Sequence, residues 1–153
     1  MQISATHDLK MSQNDLFKRL TDSEYFEHLA QGRGLDLQRT SGDASAPAVG
    51  LAWQAGFKLA GKQRQITTTL VEMVAPDTLQ FEFSSANMTV RSTVTLDPLS
   101  QTQTRLNVEI DLQPQTLSAR LFVQSLKLAR AQANKRFQGR ITRFAQFLEN
   151  QSV

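Results

Sequence analysis

The sequence lacks cysteine and is poor in proline, histidine and long apolar runs. Without cysteine, the 153-residue chain can form neither disulfide bonds nor thiolate metal sites, and a reducing compartment is compatible with it. No apolar run approaches the roughly 20 residues that are needed to span a bilayer. The first eight residues lack the basic start and the apolar core of a signal peptide. These absences predict a cytoplasmic, soluble protein, and its length fits a single domain over residues 1–153.

Groups for catalysis are scarce as well. Only His7 and His28 could act as acid–base groups near neutral pH. The sequence shows no Ser-His-Asp arrangement, phosphate loop, dinucleotide fingerprint or cluster with metal-ligand spacing. Glu72 could fall inside under one parity of its strand, which would provide a lone carboxylate for enolate chemistry. We therefore predict no catalytic residue, no metal site and no cofactor.

The segment from Thr116 to Leu148 has no proline and a single glycine, Gly139, and it predicts one helix of 33 residues. Further leucines flank its first half, so the apolar face drifts around the helix towards Gly139, which suggests a bend or a wrap over a curved partner. The apolar residues that recur every three or four positions, as on a core-facing helical face, are Phe122, Leu126, Ala129, Ala133, Phe137, Ile141, Phe144 and Leu148.

Positive charge is concentrated in this same segment. From residue 116 to residue 149 there are seven basic residues and one acidic residue, whereas the whole chain has a net charge of +3. The remainder of the chain is therefore weakly acidic. The basic residues could simply form a solvated outer face that complements the negative end of the helix. They could also bind an anionic membrane surface or the ribosome, and no specific DNA binding is expected.

Most of the remaining sequence alternates between apolar and polar residues with the period of two that is typical of strands. After the first strand, the stretches Ser12–Asp15 and Thr21–Glu24 resemble capping boxes and predict two short helices. These helices share almost no loop, so they form a V that fills a gap in the sheet. Six strands then follow as a meander. The loop Ser41–Gly50 could be either a mobile lid or a plain connection.

Two features of the meander give specific expectations. The strand from Gln65 to Val74 follows the predicted hairpin turn Ala60–Gln63 and has an ambiguous parity, which a β-bulge would resolve. Strand parities place Arg91 opposite Glu109 or Asp111, so we expect a surface ion pair there.

This order of elements resembles the helix-grip fold of the START-like (SRPBCC) superfamily, in particular its small polyketide cyclase/dehydrase and coenzyme Q-binding-like members. The resemblance implies an α+β fold in which a curved antiparallel sheet, with two short helices after its first strand, wraps around a long C-terminal helix. It also implies an apolar cavity between sheet and helix. The stretches that carry the likeness are Gly50–Ala55, Arg105–Leu112, Leu117–Leu121 and Ser125–Arg130.

The apolar face of the predicted sheet and the helix stripe give a candidate lining for that cavity. Its function would be the binding or transport of a hydrophobic small molecule such as a lipid, a quinone or a polyketide. The alternatives are a polyketide cyclase or aromatase, a membrane- or ribosome-binding module, and a filled core without a cavity. The predicted lining consists of Trp53, Phe57, Phe81 and Phe83 with the polar Thr68 and Ser92 on the sheet, and Phe122, Leu126, Ala129, Ala133 and Phe137 on the helix.

Overall fold

A computed structural model of the chain describes residues 1–59 and 61–151, and of Leu59 the backbone only. The observed order is one strand, two short helices, six strands and a C-terminal helical segment, as the sequence predicts. The elements are β1 Gln2–Leu9, α1 Gln13–Leu20, α2 Ser23–Gly32, β2 Asp36–Ser41, β3 Ala52–Leu59, β4 Lys62–Val74, β5 Thr78–Ser84, β6 Met88–Pro98, β7 Thr104–Pro114, α3 Leu117–Leu128 and α4 Arg130–Gln151.

The strands form one curved, open sheet of seven strands in the order β1-β7-β6-β5-β4-β3-β2, and all neighbours are antiparallel. Strands β2 to β7 follow one another as a meander, and β1 joins the sheet beside β7. The first and second strands are thus the two edges. The predicted α+β class and helix-grip architecture are confirmed.

Two groups of buried apolar residues join the helices to one face of the sheet. Phe137 of α4 packs against both groups and links them. Burial of these side chains provides the main driving force for attaching the helices to the sheet. The larger group includes Leu9, Leu16, Leu51, Leu79, Leu106 and Leu148, and the smaller one is formed by Ile3, Leu112 and Val123.

The two short helices begin close to the predicted residues. The Ser12 side chain caps α1 by accepting a hydrogen bond of 3.1 Å from the backbone N–H of Asp15. The second cap lies one residue later than predicted, because Asp22 accepts from the N–H of Tyr25 at 3.2 Å. Thr21 instead belongs to the end of α1, where its hydroxyl donates to the carbonyl of Phe17 at 2.9 Å.

The predicted bulge in the fourth strand is present. The register between β4 and β5 shifts between Leu70 and Glu72, so Val71 is the additional residue. As a result Leu70 and Met73 both face the helices, although their spacing is odd. In the turn before this strand, Ala60 lies outside the described residues, and the β3–β4 pairing ends at Leu59 and Lys62.

The expected surface ion pair of Arg91 has a different partner. Arg91 is paired in register with Asp111 of β7, which is one of the two predicted positions. Its guanidinium, however, contacts the carboxylate of Glu82 on the other neighbouring strand, β5, at 2.7 Å.

The prediction of one continuous helix from Thr116 to Leu148 is wrong. Helix α3 starts at its Thr116 cap as expected but ends at Ala129, whose backbone angles of φ −110° and ψ 34° are not helical. Helix α4 then continues through Gly139, the residue where a bend was expected. The break follows from packing, because α3 contacts β7 whereas α4 lies along β1 at the sheet edge.

The loop between β2 and β3 is attached to the body of the protein at two points. Ala44 is buried, and a side chain at Gly42 would meet Leu51 at 2.9 Å. Asp43 accepts hydrogen bonds from the hydroxyl and the N–H of Ser45, and these bonds lower the pKa of its carboxyl. Such contacts are typical of an ordered connection and favour that interpretation of the loop. The alternative of a mobile lid stays a prediction.

Candidate functional site

The strand register places the predicted sheet residues on one face, in adjacent rows. Trp53 of β3 pairs with Thr68 of β4, and Thr68 pairs with Phe83 of β5. Phe81 of β5 pairs with Ser92 of β6 in the next row. Directly paired residues share a face and lie about 5 Å apart. The aromatic residues and the two hydroxyl groups are therefore neighbours.

This is the face on which the helices pack. Phe81 and Trp53 contact the larger buried group, and the rings of Phe81 and Phe83 are 6.4 Å apart. Phe57 lies on the same face, because it follows Trp53 by four residues along β3. All four aromatic side chains are only partly buried, whereas Ser92 retains 7% of its exposure.

The helices lie over different strands of the sheet. In the described part of the chain, α4 lies mainly along β1, α3 contacts β7, α1 contacts β6 and α2 contacts β2. The backbones of β3, β4 and β5 make few close contacts with helix backbones, although side chains from the helices reach residues on these strands. We call this partly exposed, mainly aromatic part of the inner face the inner-face groove, and its floor consists of Trp53, Phe57, Thr68, Phe81 and Phe83.

The predicted helix residues are divided by the break at Ala129. Leu126, Ala133 and Phe137 are partly buried and pack against the smaller buried group. Phe122 is 56% exposed, and Ala129 is exposed at the break itself. The structure thus brings three of the five helix residues toward the sheet. Phe122 turns away because the buried side of α3 is formed by Ala119 and Val123, and Ala129 lies at the break itself.

The floor of the groove contains an unusual donor. The Nε1 atom of Trp53 is buried, and among the described residues it has no hydrogen-bond partner. Most buried polar groups do have partners, and leaving one unpaired costs about 1–3 kcal/mol. The indole N–H is therefore an unpaired hydrogen-bond donor in a mainly aromatic part of the sheet.

Two basic residues at the rim were missed by sequence reasoning. Arg64 pairs with Phe57 and is exposed on the groove side of β4. Arg39 of the edge strand pairs with Trp53 and forms an ion pair of 3.6 Å with Glu27 of α2. The sequence does indicate the face of Arg64, because Arg64 is two residues from Ile66 and residues two apart in a strand share a face. The bulge, however, made the assignment of faces in β4 ambiguous.

The three candidate acid–base groups lie away from the groove floor. Glu72 pairs with Gln80 on the opposite face of the sheet and is exposed. His28 is exposed on α2, and His7 lies on β1 beside Asp8. The guanidinium of Arg105 binds both carboxylate oxygens of Asp8 and thereby lowers the pKa of that carboxyl. Asp8 is thus engaged in a surface ion pair.

Other surface depressions have a different chemical character. One of about 620 Å³ lies beside α1 and has Lys10, Asp15 and Lys18 in its wall. Another of about 530 Å³ lies over the Asp8–Arg105 ion pair. Both have more polar than apolar surface, so neither suits a hydrophobic molecule, which gains free energy from apolar contact.

Within residues 1–59 and 61–151, no helix is both long and apolar enough to cross a membrane. In the same residues, histidine and acidic side chains form no cluster of three or more that could hold a metal ion.

Comparison with known proteins supports the fold at the level of structure. No family model and no curated protein sequence matches the chain. The protein TTHA0849 from Thermus thermophilus superposes with a TM-score of 0.68 at 11% identity, over 100% of both chains. A START superfamily protein from Mycobacterium smegmatis gives a TM-score of 0.57 at 14% identity, over 94% of this chain and 98% of that chain.

An enzyme is also among the structural neighbours. The Zhui aromatase/cyclase from Streptomyces sp. R1128 superposes with a TM-score of 0.58 at 10% identity, over 94% of each chain. At such low identities the superpositions establish the fold and give no information on function. Together with the sheet order and the position of α4, they show that this chain has the START-like helix-grip fold.

Proposed function

We propose that this protein binds or carries a hydrophobic small molecule, of the lipid, quinone or polyketide type, in the inner-face groove. The observation that supports this most directly is the unpaired N–H of Trp53 within a partly exposed aromatic floor. A ligand with a carbonyl or hydroxyl oxygen would supply the missing acceptor, and its apolar body would cover the aromatic rings. The proposal includes a cytoplasmic location and a single domain over residues 1–153.

The expected affinity has two contributions, namely apolar contact with the aromatic rings and the hydrogen bond to Trp53. Burying roughly 300 Å² of apolar ligand surface contributes on the order of 7 kcal/mol at about 25 cal/mol per Å². Loss of translational and conformational freedom reduces this value, so apolar contact alone gives micromolar or weaker binding. The hydrogen bond to Trp53 then favours ligands that carry an oxygen atom near the floor.

The first test is native mass spectrometry of the purified protein before and after organic extraction. We expect an adduct of one molecule per chain that extraction removes, and its mass will narrow the ligand class. The extracted protein should then bind the neutral fluorescent probe 1-N-phenylnaphthylamine. A clean mass before extraction, combined with no probe binding afterwards, would contradict the proposal.

Replacing Trp53 by Phe tests the role of the indole donor. We compare octanophenone with octylbenzene as competitors of the probe, because the two differ in one carbonyl oxygen. The ratio of ketone affinity to hydrocarbon affinity should fall about tenfold in Trp53→Phe, since the donor that the ketone satisfies is gone.

The control for this experiment is Phe83→Leu, which reduces aromatic surface on the same row without removing a donor. Both ligands should then bind more weakly while their affinity ratio stays constant. An unchanged ratio in Trp53→Phe would show that the ligand does not meet the indole N–H.

A polyketide cyclase of the aromatase type is the second candidate, and the Streptomyces neighbour is the observation that favours it. Thr68, Ser92 and Arg64 are the polar residues that could orient such a substrate on the groove side of the sheet. Incubation with a poly-β-ketone distinguishes the two functions. A carrier releases the compound unchanged, whereas a cyclase releases a product that has lost water.

The basic residues of α3 and α4 support a macromolecular partner as a separate candidate, either an anionic membrane surface or the ribosome. Electrostatic attraction to either partner would weaken steeply with salt. All seven are exposed, namely Arg120, Lys127, Arg130, Lys135, Arg136, Arg140 and Arg143.

A further inference from the structure

Helix α3 has an apolar face that points away from the protein. Its inner side consists of Ala119 and Val123, which are 6% and 4% exposed. Leu117, Leu121 and Leu128, in contrast, are 73%, 61% and 93% exposed. At about 100° per residue, these three leucines fall within roughly 40° of one another and opposite the buried side. We call them the outer leucine stripe.

Basic residues border this stripe along one side. Arg120 and Lys127 lie within about a quarter turn of it and are exposed, and Arg130 follows at the start of α4. The sequence from residue 117 to residue 148 contains no acidic residue. An exposed apolar stripe with a cationic border and no anionic residue is complementary to a surface that combines acyl chains with negative headgroups.

We propose that α3 docks on the surface of an anionic lipid bilayer, with the outer leucine stripe lying at the headgroup boundary. The helix would lie in the plane of the membrane, and its basic border would contact the lipid phosphates. The non-helical residue Ala129 separates α3, which carries the outer leucine stripe, from α4. This docking is separate from ligand binding in the inner-face groove and does not depend on it.

Two other partners explain the observations less well. Ribosomal RNA would be attracted by the positive charge, but its charged surface would not bury the three exposed leucines. A second copy of the chain would need about 800 Å² of surface from each partner for a stable interface. A stripe along a helix of 12 residues, about 18 Å long, provides far less.

The test is co-sedimentation of the full chain with vesicles in the absence of groove ligand. Vesicles of phosphatidylglycerol and phosphatidylcholine in equal parts are compared with pure phosphatidylcholine at low and high salt. We expect binding to the anionic vesicles that weakens with salt. The triple variant Leu117→Gln/Leu121→Gln/Leu128→Gln should bind at least about tenfold more weakly, and Arg120→Gln/Lys127→Gln should lose most of the salt dependence.

Matched controls change the same residue types elsewhere. The variant Leu35→Gln/Val49→Gln/Leu99→Gln alters apolar residues that are 40%, 60% and 42% exposed, and Lys10→Gln/Lys18→Gln alters exposed lysines near α1. Both controls should bind like the unmodified protein. All substituted residues are exposed, so unchanged thermal unfolding will verify that each variant is folded.

Three outcomes would overturn the proposal. Equal binding to neutral and anionic vesicles, or to neither, would remove the lipid surface as partner. Normal vesicle binding by the leucine variant would show that charge alone accounts for binding, as expected for an RNA partner. A dimer in sedimentation velocity that the leucine variant abolishes would assign the stripe to a second copy of this chain.

Discussion

Leu148→Ala is expected to lower the free energy of unfolding by about 2–5 kcal/mol. Leu148 has no exposed surface and belongs to the larger buried group, where it joins α4 to residues such as Leu9 and Leu106. Truncation leaves a cavity that the surrounding sheet and helix cannot fill. Urea unfolding followed by circular dichroism measures the change.

The matched control is Leu117→Ala, which makes the same chemical change at a residue that is 73% exposed. Its effect should remain within about 0.5 kcal/mol. If both variants lost the same stability, the apolar surface of α3 would have to be buried in solution, and the outer leucine stripe would not be available for docking.

Ala133→Trp is expected to abolish uptake of 1-N-phenylnaphthylamine, with at least about a tenfold loss of affinity. Ala133 is a small residue of α4, partly buried against Ile3, Leu112 and Val123. An indole at this position would occupy the space between the helix and the sheet. We expect an overpacking penalty of about 1–3 kcal/mol, so the variant should still fold.

The neighbouring variant Ala131→Trp serves as the control, because Ala131 is exposed on the same helix. It should bind the probe normally. A folded Ala133→Trp protein with full probe binding would contradict the sequence prediction that Ala133 lines the ligand site. Unfolding of Ala133→Trp alone would indicate that this space is already filled.

The sheet could be predicted from the sequence because its signal is local. Alternation with a period of two identifies the faces of β6 and β7, and two adjacent apolar residues in β4 indicate a bulge. The positions of Trp53, Thr68 and Phe83 on one face followed from the same parity. These predictions depend only on the geometry of extended backbone, which is the same in every sheet.

The break between α3 and α4 could not be predicted, because no residue there signals it. Alanine is the strongest helix former, so the local preference of Ala129 favours continuation. The break arises from the separate contacts of α3 with β7 and of α4 with β1, which are properties of the folded chain. The same applies to the unpaired N–H of Trp53, since hydrogen-bond partners depend on tertiary distances.

Trp53 is the only tryptophan of the chain, so all of its indole fluorescence originates on the floor of the inner-face groove. Emission from this residue therefore reports on groove occupancy without any label. A quinone that binds there would quench the emission, and a polar environment would shift it to longer wavelength. Helix α3 contains no tryptophan and contacts β7 at a distance of several strands from Trp53. One optical signal is thus specific for ligand entry and silent to the arrival of the protein at a membrane.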